Sequence, residues 1–348
     1  MCNMKKILSV FLILNLILLS VFLSGCSKTE KFTDYSFDSF DTITTIIGFE
    51  DSKEKFQQNC TQIKAWLLEY HKLYDIYTVY EGVTNLCILN KKQGEKVKVD
   101  QKIIDLLLVA KELYGKNKKL NVAMGSVLSL WHDYREYSLN NPDDALLPSE
   151  VTLKEASEHI NFNDVVIDDK NNTVLIKDEN LTLDVGAIGK GFAAQAVAQK
   201  MQENGMQGYL LNLGGNVKIV GERQDRQPWR VGIENPDKES ADLYLAELEL
   251  SGNWSLVTSG SYQRFFTVNG KNYHHIIDSK TLYPAEYFSS VSVLCENSAL
   301  ADGLSTLLFC LPLEKGKKIV EETDGVYAMW VTTDGEIHYS NEFKNFTK

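Results

Sequence analysis

Over the chain as a whole there is no excess of basic residues. Lys and Arg number 36 against 47 Asp and Glu, a formal net charge of −11. No basic stretch could neutralise several phosphates, which excludes a nucleic-acid binder. Any membrane attachment must therefore come from lipid and not from a basic surface. Cysteine is scarce, six in 348 residues, with no CxxC pair and none near a histidine at metal-ligand spacing. Cys60, Cys295 and Cys310 fall in apolar-periodic stretches and, with Cys87, read as small buried hydrophobes, a disulfide remaining open. There is no Walker phosphate loop and no dinucleotide fingerprint. No internal repeat, low-complexity tract or Pro/Gly/Ser-rich linker divides the chain. With 44% hydrophobic and 24% charged residues, what remains is ordinary globular sequence.

The one long apolar run is at the start. Lys5 and Lys6 precede Ile7 to Phe22, interrupted only by Ser9, Asn15 and Ser20, and Leu23-Ser24-Gly25-Cys26 follows. Small residues before a cysteine resemble a bacterial lipobox, whose cysteine thiol receives diacylglycerol. The run is short for a spanning helix and lacks a basic flank beyond it. The expectation is a lipoprotein signal peptide over residues 1–25, lipidation at Cys26, a polar tether over 26–32, and one domain of two lobes over 33–348. The alternative is an uncleaved anchor.

Thr42 to Phe49 is β-branched and reads as a strand. Phe56, Cys60, Ile63, Leu67, Tyr70 and Tyr74 recur at helical steps. So do Ile103, Leu107, Ala110 and Tyr114, with Asp100 as cap and Gly115 as stop. A hairpin over 165–176 turns at Asn171-Asn172, and Leu181 to Val185 reads as a short strand. Phe192, Ala196, Gln199 and Met201 mark a helix closed by Gly205. Strands dominate from Tyr209 to Val293, including a hairpin over 265–277 turning at Asn269-Gly270. Ser298 to Cys310 and Leu313 to Glu322 read as helices, and a last hairpin turns at Asp334-Gly335. Long helices beside an antiparallel, strand-rich core make an α+β fold.

Four clusters carry chemistry. Leu183-Asp184-Val185-Gly186-Ala187-Ile188-Gly189-Lys190-Gly191 runs a strand into a glycine-rich turn that opens a helix. Such a turn aims free N–H groups at an anion, and Lys190 adds a charge suited to phosphate; a tight corner that needs glycine reads the same way. Leu211-Asn212-Leu213-Gly214-Gly215-Asn216 is either a close approach for a ligand or a plain turn. His274-His275-Ile276-Ile277-Asp278 pairs two of the six histidines three residues before a carboxylate, with no third ligand for zinc. Ala301-Asp302-Gly303-Leu304-Ser305-Thr306 puts Asp302 and Thr306 on one helical face, an arrangement suited to Mg²⁺ or a chance polar face.

Taken in order, these clusters resemble the ApbE family, the FAD:protein FMN transferases. The matching segments are Asp184 to Gly191, Leu213 to Asn216, Thr258-Ser259-Gly260-Ser261-Tyr262-Gln263-Arg264-Phe265-Phe266, His275 to Pro284, and Asp302 to Thr306. Upstream, Phe40-Asp41-Thr42 and Asn121-Val122-Ala123-Met124-Gly125 through Leu130-Trp131 match as well. The chain departs from the family where Asp-Pro-x-Thr-Gly reads Asp278-Ser279-Lys280-Thr281-Leu282. Gln195 stands for an aspartate, and Ala123 for a threonine.

The resemblance implies an enzyme that moves FMN from FAD onto a threonine of another protein and releases AMP. It implies Mg²⁺ on Asp302, Thr306 and the Ala187 carbonyl, and FAD, the substrate, on Phe40, Tyr77, Lys119, Leu120, Asn121, Asp184, Lys190, His275 and Ile276. His275, with Asp278, would take the threonine proton. The partner would be an extracytoplasmic acceptor with an FMN-binding domain, such as a subunit of a membrane redox complex. The same site with water as nucleophile would make an FAD pyrophosphatase. A flavin-binding lipoprotein without turnover is the non-enzymatic alternative.

Overall fold

The computed structural model describes residues 29–348. The apolar leader, the Leu23 to Cys26 motif and the lipidation at Cys26 lie outside the described residues. The strands are β1 (Glu30–Ser36), β2 (Thr44–Glu50), β3 (Lys96–Lys98), β4 (Val165–Asp168), β5 (Thr173–Ile176), β6 (Tyr209–Leu213), β7 (Asn216–Val220) and β8 (Trp229–Glu234). They continue with β9 (Tyr244–Leu250), β10 (Ser255–Gly260), β11 (Phe265–Val268), β12 (Lys271–His274), β13 (Phe288–Cys295), β14 (Tyr327–Thr332) and β15 (Ile337–Tyr339). The helices are α1 (Lys53–Tyr74), α2 (Leu86–Leu89), α3 (Gln101–Lys116), α4 (Gly125–Asn140), α5 (Glu150–Ser157), α6 (Gly189–Glu203), α7 (Ser298–Phe309) and α8 (Leu313–Glu321).

An eight-stranded sheet in the order β1-β2-β6-β7-β10-β13-β14-β15, antiparallel at every pairing, forms the centre. Its inner strands are buried on both faces, so alternation sorts side chains between two cores. Tyr209, Leu211, Val291, Val293, Ala328 and Trp330 face the layer of α1, α6 and α7. Leu210, Leu294, Met329 and Val331 face the β8–β9 ribbon, with Trp229, Val231 and Leu248. A third cluster seats the β11–β12 hairpin against α4 through Trp131, Phe266 and Val268. The α+β class is therefore as expected.

Several elements follow the sequence pattern closely. In α1 the residues Phe56, Cys60, Ile63, Leu67 and Tyr74 form the buried stripe. Asp100 caps α3, its Oδ1 accepting the Lys102 N–H at 2.9 Å. At the β11–β12 turn Asn269 and Gly270 both have positive φ, 50° and 78°, as a tight hairpin of that twist requires. The four described cysteines are free and buried.

Five expectations need correction. Gly115 does not end α3, which continues to Lys116 and closes with the Asn117 N–H on Leu113 O. Leu181 to Val185 is not a ladder strand. Its backbone is satisfied by the Asn90 side chain, which bonds both the N–H and the carbonyl of Leu183 at 2.8 Å, and by Val122 O, which accepts the Asp184 N–H. Helix α6 opens at Gly189, a turn before Phe192, and buries Ala193, Ala194, Val197 and Ala198; Phe192 is half-buried and Gln199 exposed. The β11–β12 hairpin stops at His274, because the chain turns off it. The tether is shorter than expected, since β1 begins at Glu30, paired with Glu50 at the sheet edge.

Candidate functional site

The site forms where α6 and α7 cross above the sheet. The N–H groups of Ile188 and Gly189 both bond Val185 O, at 3.0 and 2.7 Å, and this turn starts α6. The next free amide does not continue the ladder. Gly191 N–H donates to Asp302 Oδ2 of α7 at 2.7 Å, and among the described residues none donates to the Ala187 carbonyl. Only glycine permits this approach: a Cβ on Gly191 would lie 2.3 Å from Ser298 O and 2.4 Å from Asp302 Cβ. Gln195, where the resemblance expects an aspartate, accepts the Ser298 N–H through its amide oxygen at 2.9 Å. Asn297 caps the helix by accepting from Leu300 N–H.

Asp302 is buried, and burial raises its carboxyl above the usual range. The Lys190 charge and the Gly191 N–H oppose that rise, and so does the neighbouring Asn216 amide. Asn216 is itself buried, and its Oδ1 accepts from Ser298 Oγ at 2.9 Å. One turn on, Thr306 is half-buried, its Oγ1 3.4 Å from Ser259 Oγ. Ser259 also meets Ser305 Oγ at 2.8 Å, and Ser305 donates to Asp302 O at 2.9 Å. Among the described residues no three His, Cys, Asp or Glu side chains gather to hold a metal. A buried carboxylate, a hydroxyl one turn away and a carbonyl without a donor form an all-oxygen set, which fits a hard cation such as Mg²⁺ and not zinc.

Lys190 makes no hydrogen bond or ion pair among the described residues. Its charge acts on Asp184, Asp302 and His275, so three separate clusters of the sequence share its field. Asp184 accepts the Gly186 N–H at 2.8 Å, and burial raises its carboxyl. Tyr77 is exposed, with its ring 5.1 Å from His132; crowding and the Asp184 charge push its phenol up to about 12. Phe40 is half-buried, its ring edge-on to His71.

The paired histidines differ in their partners. His274 Nδ1 accepts the Ile276 N–H, so Nε2 carries the proton and bonds Ala285 O at 2.8 Å, and the ring meets Phe309 edge-on. His275 turns its Nδ1 to Arg264 O at 3.2 Å, which leaves Nε2 as the free lone pair. The ring has access to solvent yet sits deep among protein groups. Burial, helped by the Arg264 guanidinium, holds its pKa down to about 3.

No hydrogen bond joins His275 to Asp278, a correction to the expected pair. Asp278 is buried and ion-paired with Lys119, which also bonds Cys310 O at 2.7 Å. The Asp278 carbonyl and Oδ1 accept from Leu282 and Lys280 N–H, so it shapes the turn beneath the histidine. Leu282, where the family has glycine, keeps the left-handed geometry with φ 63°. Lys119, Leu120 and Asn121 are likewise committed internally. Leu120 is in the core, and Asn121 bonds Ile160 O and the Ala123 N–H. Ile276 is buried, and its N–H and carbonyl are both engaged. Side-chain groups remain free for a ligand on Phe40, Tyr77, Asp184, Lys190 and His275. Sequence reasoning did not single out Arg264, Ser259 or His71; the first two lay inside the Thr258 to Phe266 segment, and His71 carried no signal.

Residues 40–330 match the ApbE family. The chain is 30% identical over 271 residues to an FAD:protein FMN transferase of Klebsiella pneumoniae, covering 77% of this chain and 81% of that one. It is 28% identical over 337 residues to one of Vibrio cholerae, covering 93% and 95%. Among solved structures it is similar to the ApbE protein of Thermotoga maritima, with a TM-score of 0.79 and 26% identity over 92% of this chain and 100% of that one. The flavin transferase ApbE of Vibrio cholerae shares the fold, with a TM-score of 0.75 at 23% identity over 91% and 99%.

Proposed function

The chain belongs to the ApbE family, and on that premise we propose a Mg²⁺-dependent transfer of FMN from FAD to a threonine of an extracytoplasmic acceptor, with release of AMP. It is an FAD:protein FMN transferase; the metal, the target residue, the leaving group and the acceptor's compartment are the added reading. The observation that carries it is the crossing of α6 and α7, where a Gly191 N–H fixes the buried Asp302 carboxylate and, among the described residues, the Ala187 carbonyl is left without a donor. Asp302, Thr306 and Ala187 O would hold Mg²⁺, which supplies neutralisation of pyrophosphate charge.

The chain's own groups do the rest. Lys190, without a hydrogen bond or ion pair among the described residues, is placed to bind a phosphate oxygen. Arg264 O holds His275 Nδ1, so Nε2 faces outward to take the hydroxyl proton of the threonine. As that proton moves, the threonine oxygen bonds the phosphorus on the FMN side and the bond to the AMP phosphate breaks. An imidazole held near 3 is a free base at neutral pH but a weak one; an anionic pyrophosphate beside it would raise that value toward the working range. Solvent access at His275 favours a second reading, in which water replaces the threonine and FMN and AMP are both released. Leu23 to Cys26 supports lipid anchoring on the extracytoplasmic face of the cell membrane.

The metal reading is tested with Asp302→Ala. Transfer should be abolished in the variant and depend on added Mg²⁺ in the wild type, with thermal unfolding little changed. Normal transfer by Asp302→Ala in chelator-treated buffer would remove the metal from the mechanism.

A further inference from the structure

The segment between β1 and β2 contains two consecutive non-glycine residues with left-handed backbone, Phe40 at φ 61° and Asp41 at φ 48°. That conformation is unfavourable for L-residues and persists where surrounding contacts hold it. Two contacts do so. Phe40 N–H donates to His71 Nδ1 at 3.2 Å, and His71 is anchored in turn through Nε2 to Tyr80 Oη at 3.3 Å. From the other side Arg264 Nη2 donates to the Asp41 carbonyl at 3.0 Å. The main chain of Arg264 faces a different partner. Its carbonyl receives both the His275 backbone N–H and the His275 ring Nδ1, each at 3.2 Å.

We propose that Arg264 is a positioning residue that couples the Phe40–Asp41 turn to the His275 ring, so that the flavin-side loop and the proton acceptor are set as one unit. The coupling rests on the reading of His275 as proton acceptor and of Phe40 as a wall of the FAD site. It works through both ends of one residue. The carbonyl selects the His275 tautomer with Nε2 free, and the guanidinium holds the turn while adding positive charge beside the ring. The charged groups acting on His275 are Arg264, His274 and Lys190, all cationic when ionised and with no carboxylate among them. Loss of the guanidinium therefore makes the ring easier to protonate. His274 is a built-in control, since its ring answers to Ala285 O and Glu286 and not to Arg264.

The test compares Arg264→Met and Arg264→Lys with wild type in the full mature protein. Both keep the main-chain carbonyl. Two quantities are read: the KM for FAD against kcat, and the titration of the His275 ring by NMR, assigned with His275→Gln. In Arg264→Met the FAD KM should rise roughly ten-fold, the scale of one hydrogen bond from a charged donor. The His275 midpoint should move to higher pH while His274 stays in place. Arg264→Lys keeps the charge but not the fork. It should hold the His275 midpoint near wild type and still raise the FAD KM. If in Arg264→Met the KM rises and the midpoint does not move, or the reverse, the two sites are not coupled; if neither moves in that variant, Arg264 positions nothing. Full transfer activity in His275→Ala would instead sink the reading of the base, while leaving the titration result standing.

Discussion

At the scale of residues, His274 and His275 show how two identical side chains in sequence are given different tasks. Alternation along a strand would point neighbouring residues apart, but the hairpin ends at His274, and alternation does not extend past it. What separates them is the partner of Nδ1. In His274 it is a backbone N–H, which makes that nitrogen an acceptor and ties the other to Ala285 O. In His275 it is a carbonyl, which leaves Nε2 free. His275→Ala should keep FAD binding and lose about 10²–10⁴-fold in single-turnover transfer. His274→Ala should lower the unfolding temperature, through the lost bond to Ala285 O and the contact with Phe309, with rate per folded molecule close to wild type. Equal losses of rate in the two would take His275 off the list of reacting groups. The pair was legible in the sequence; the tautomers were not, since Arg264 and Ala285 are brought to them only by folding.

At the scale of elements, the site depends on how closely α6 can approach α7. The Asp302 and Thr306 spacing was readable, because residues four apart on a helix share a face. The Gly191 to Asp302 bond was not, because nothing local links the two segments. Gly191→Ala should cost about 1–3 kcal/mol in stability by overpacking the crossing, and should weaken Mg²⁺ binding, since the added Cβ would push α6 away and draw the residue 191 N–H out of reach of Asp302. Denaturant unfolding and metal titration read the two effects; an alanine variant as stable and as metal-responsive as wild type would show that the crossing tolerates a side chain. The turn after Asp278 makes a second element-scale case. The family's glycine is absent from it, yet Leu282 has φ 63° with its carbonyl accepting from Trp131 Nε1 at 2.8 Å. Leu282→Ile, an isomer branched at Cβ, should destabilise by about 1–3 kcal/mol because branching is least compatible with that backbone. An unchanged unfolding midpoint would mean the turn adapts.

At the scale of the whole molecule, the sheet buried on both faces contains one buried ammonium, Lys218 of β7. It bonds Asn253 O at 2.7 Å and Glu296 O at 2.6 Å, and burial lowers its pKa to about 8. The unfolded chain, with an ordinary lysine, binds more protons than the native state between about pH 8 and 10.5, so this group adds stability as pH rises through that window. Wild type should therefore gain up to about 3 kcal/mol relative to Lys218→Met between those limits, and parallel pH dependence of the two would contradict the buried charge. The α+β class and most strands were legible because apolar alternation and turn residues are local signals. The joining of distant clusters around Lys190 was not, because it arises from packing between α6, α7 and the β11–β12 hairpin. The most direct measurement of function is the intact mass of a candidate FMN-binding acceptor domain after incubation with the mature protein, FAD and Mg²⁺, with fragmentation to locate any addition. One FMN added through phosphate to a threonine, with AMP released in equal amount, is the expected result. FMN and AMP both free in solution with the acceptor mass unchanged would contradict the proposed transfer to threonine.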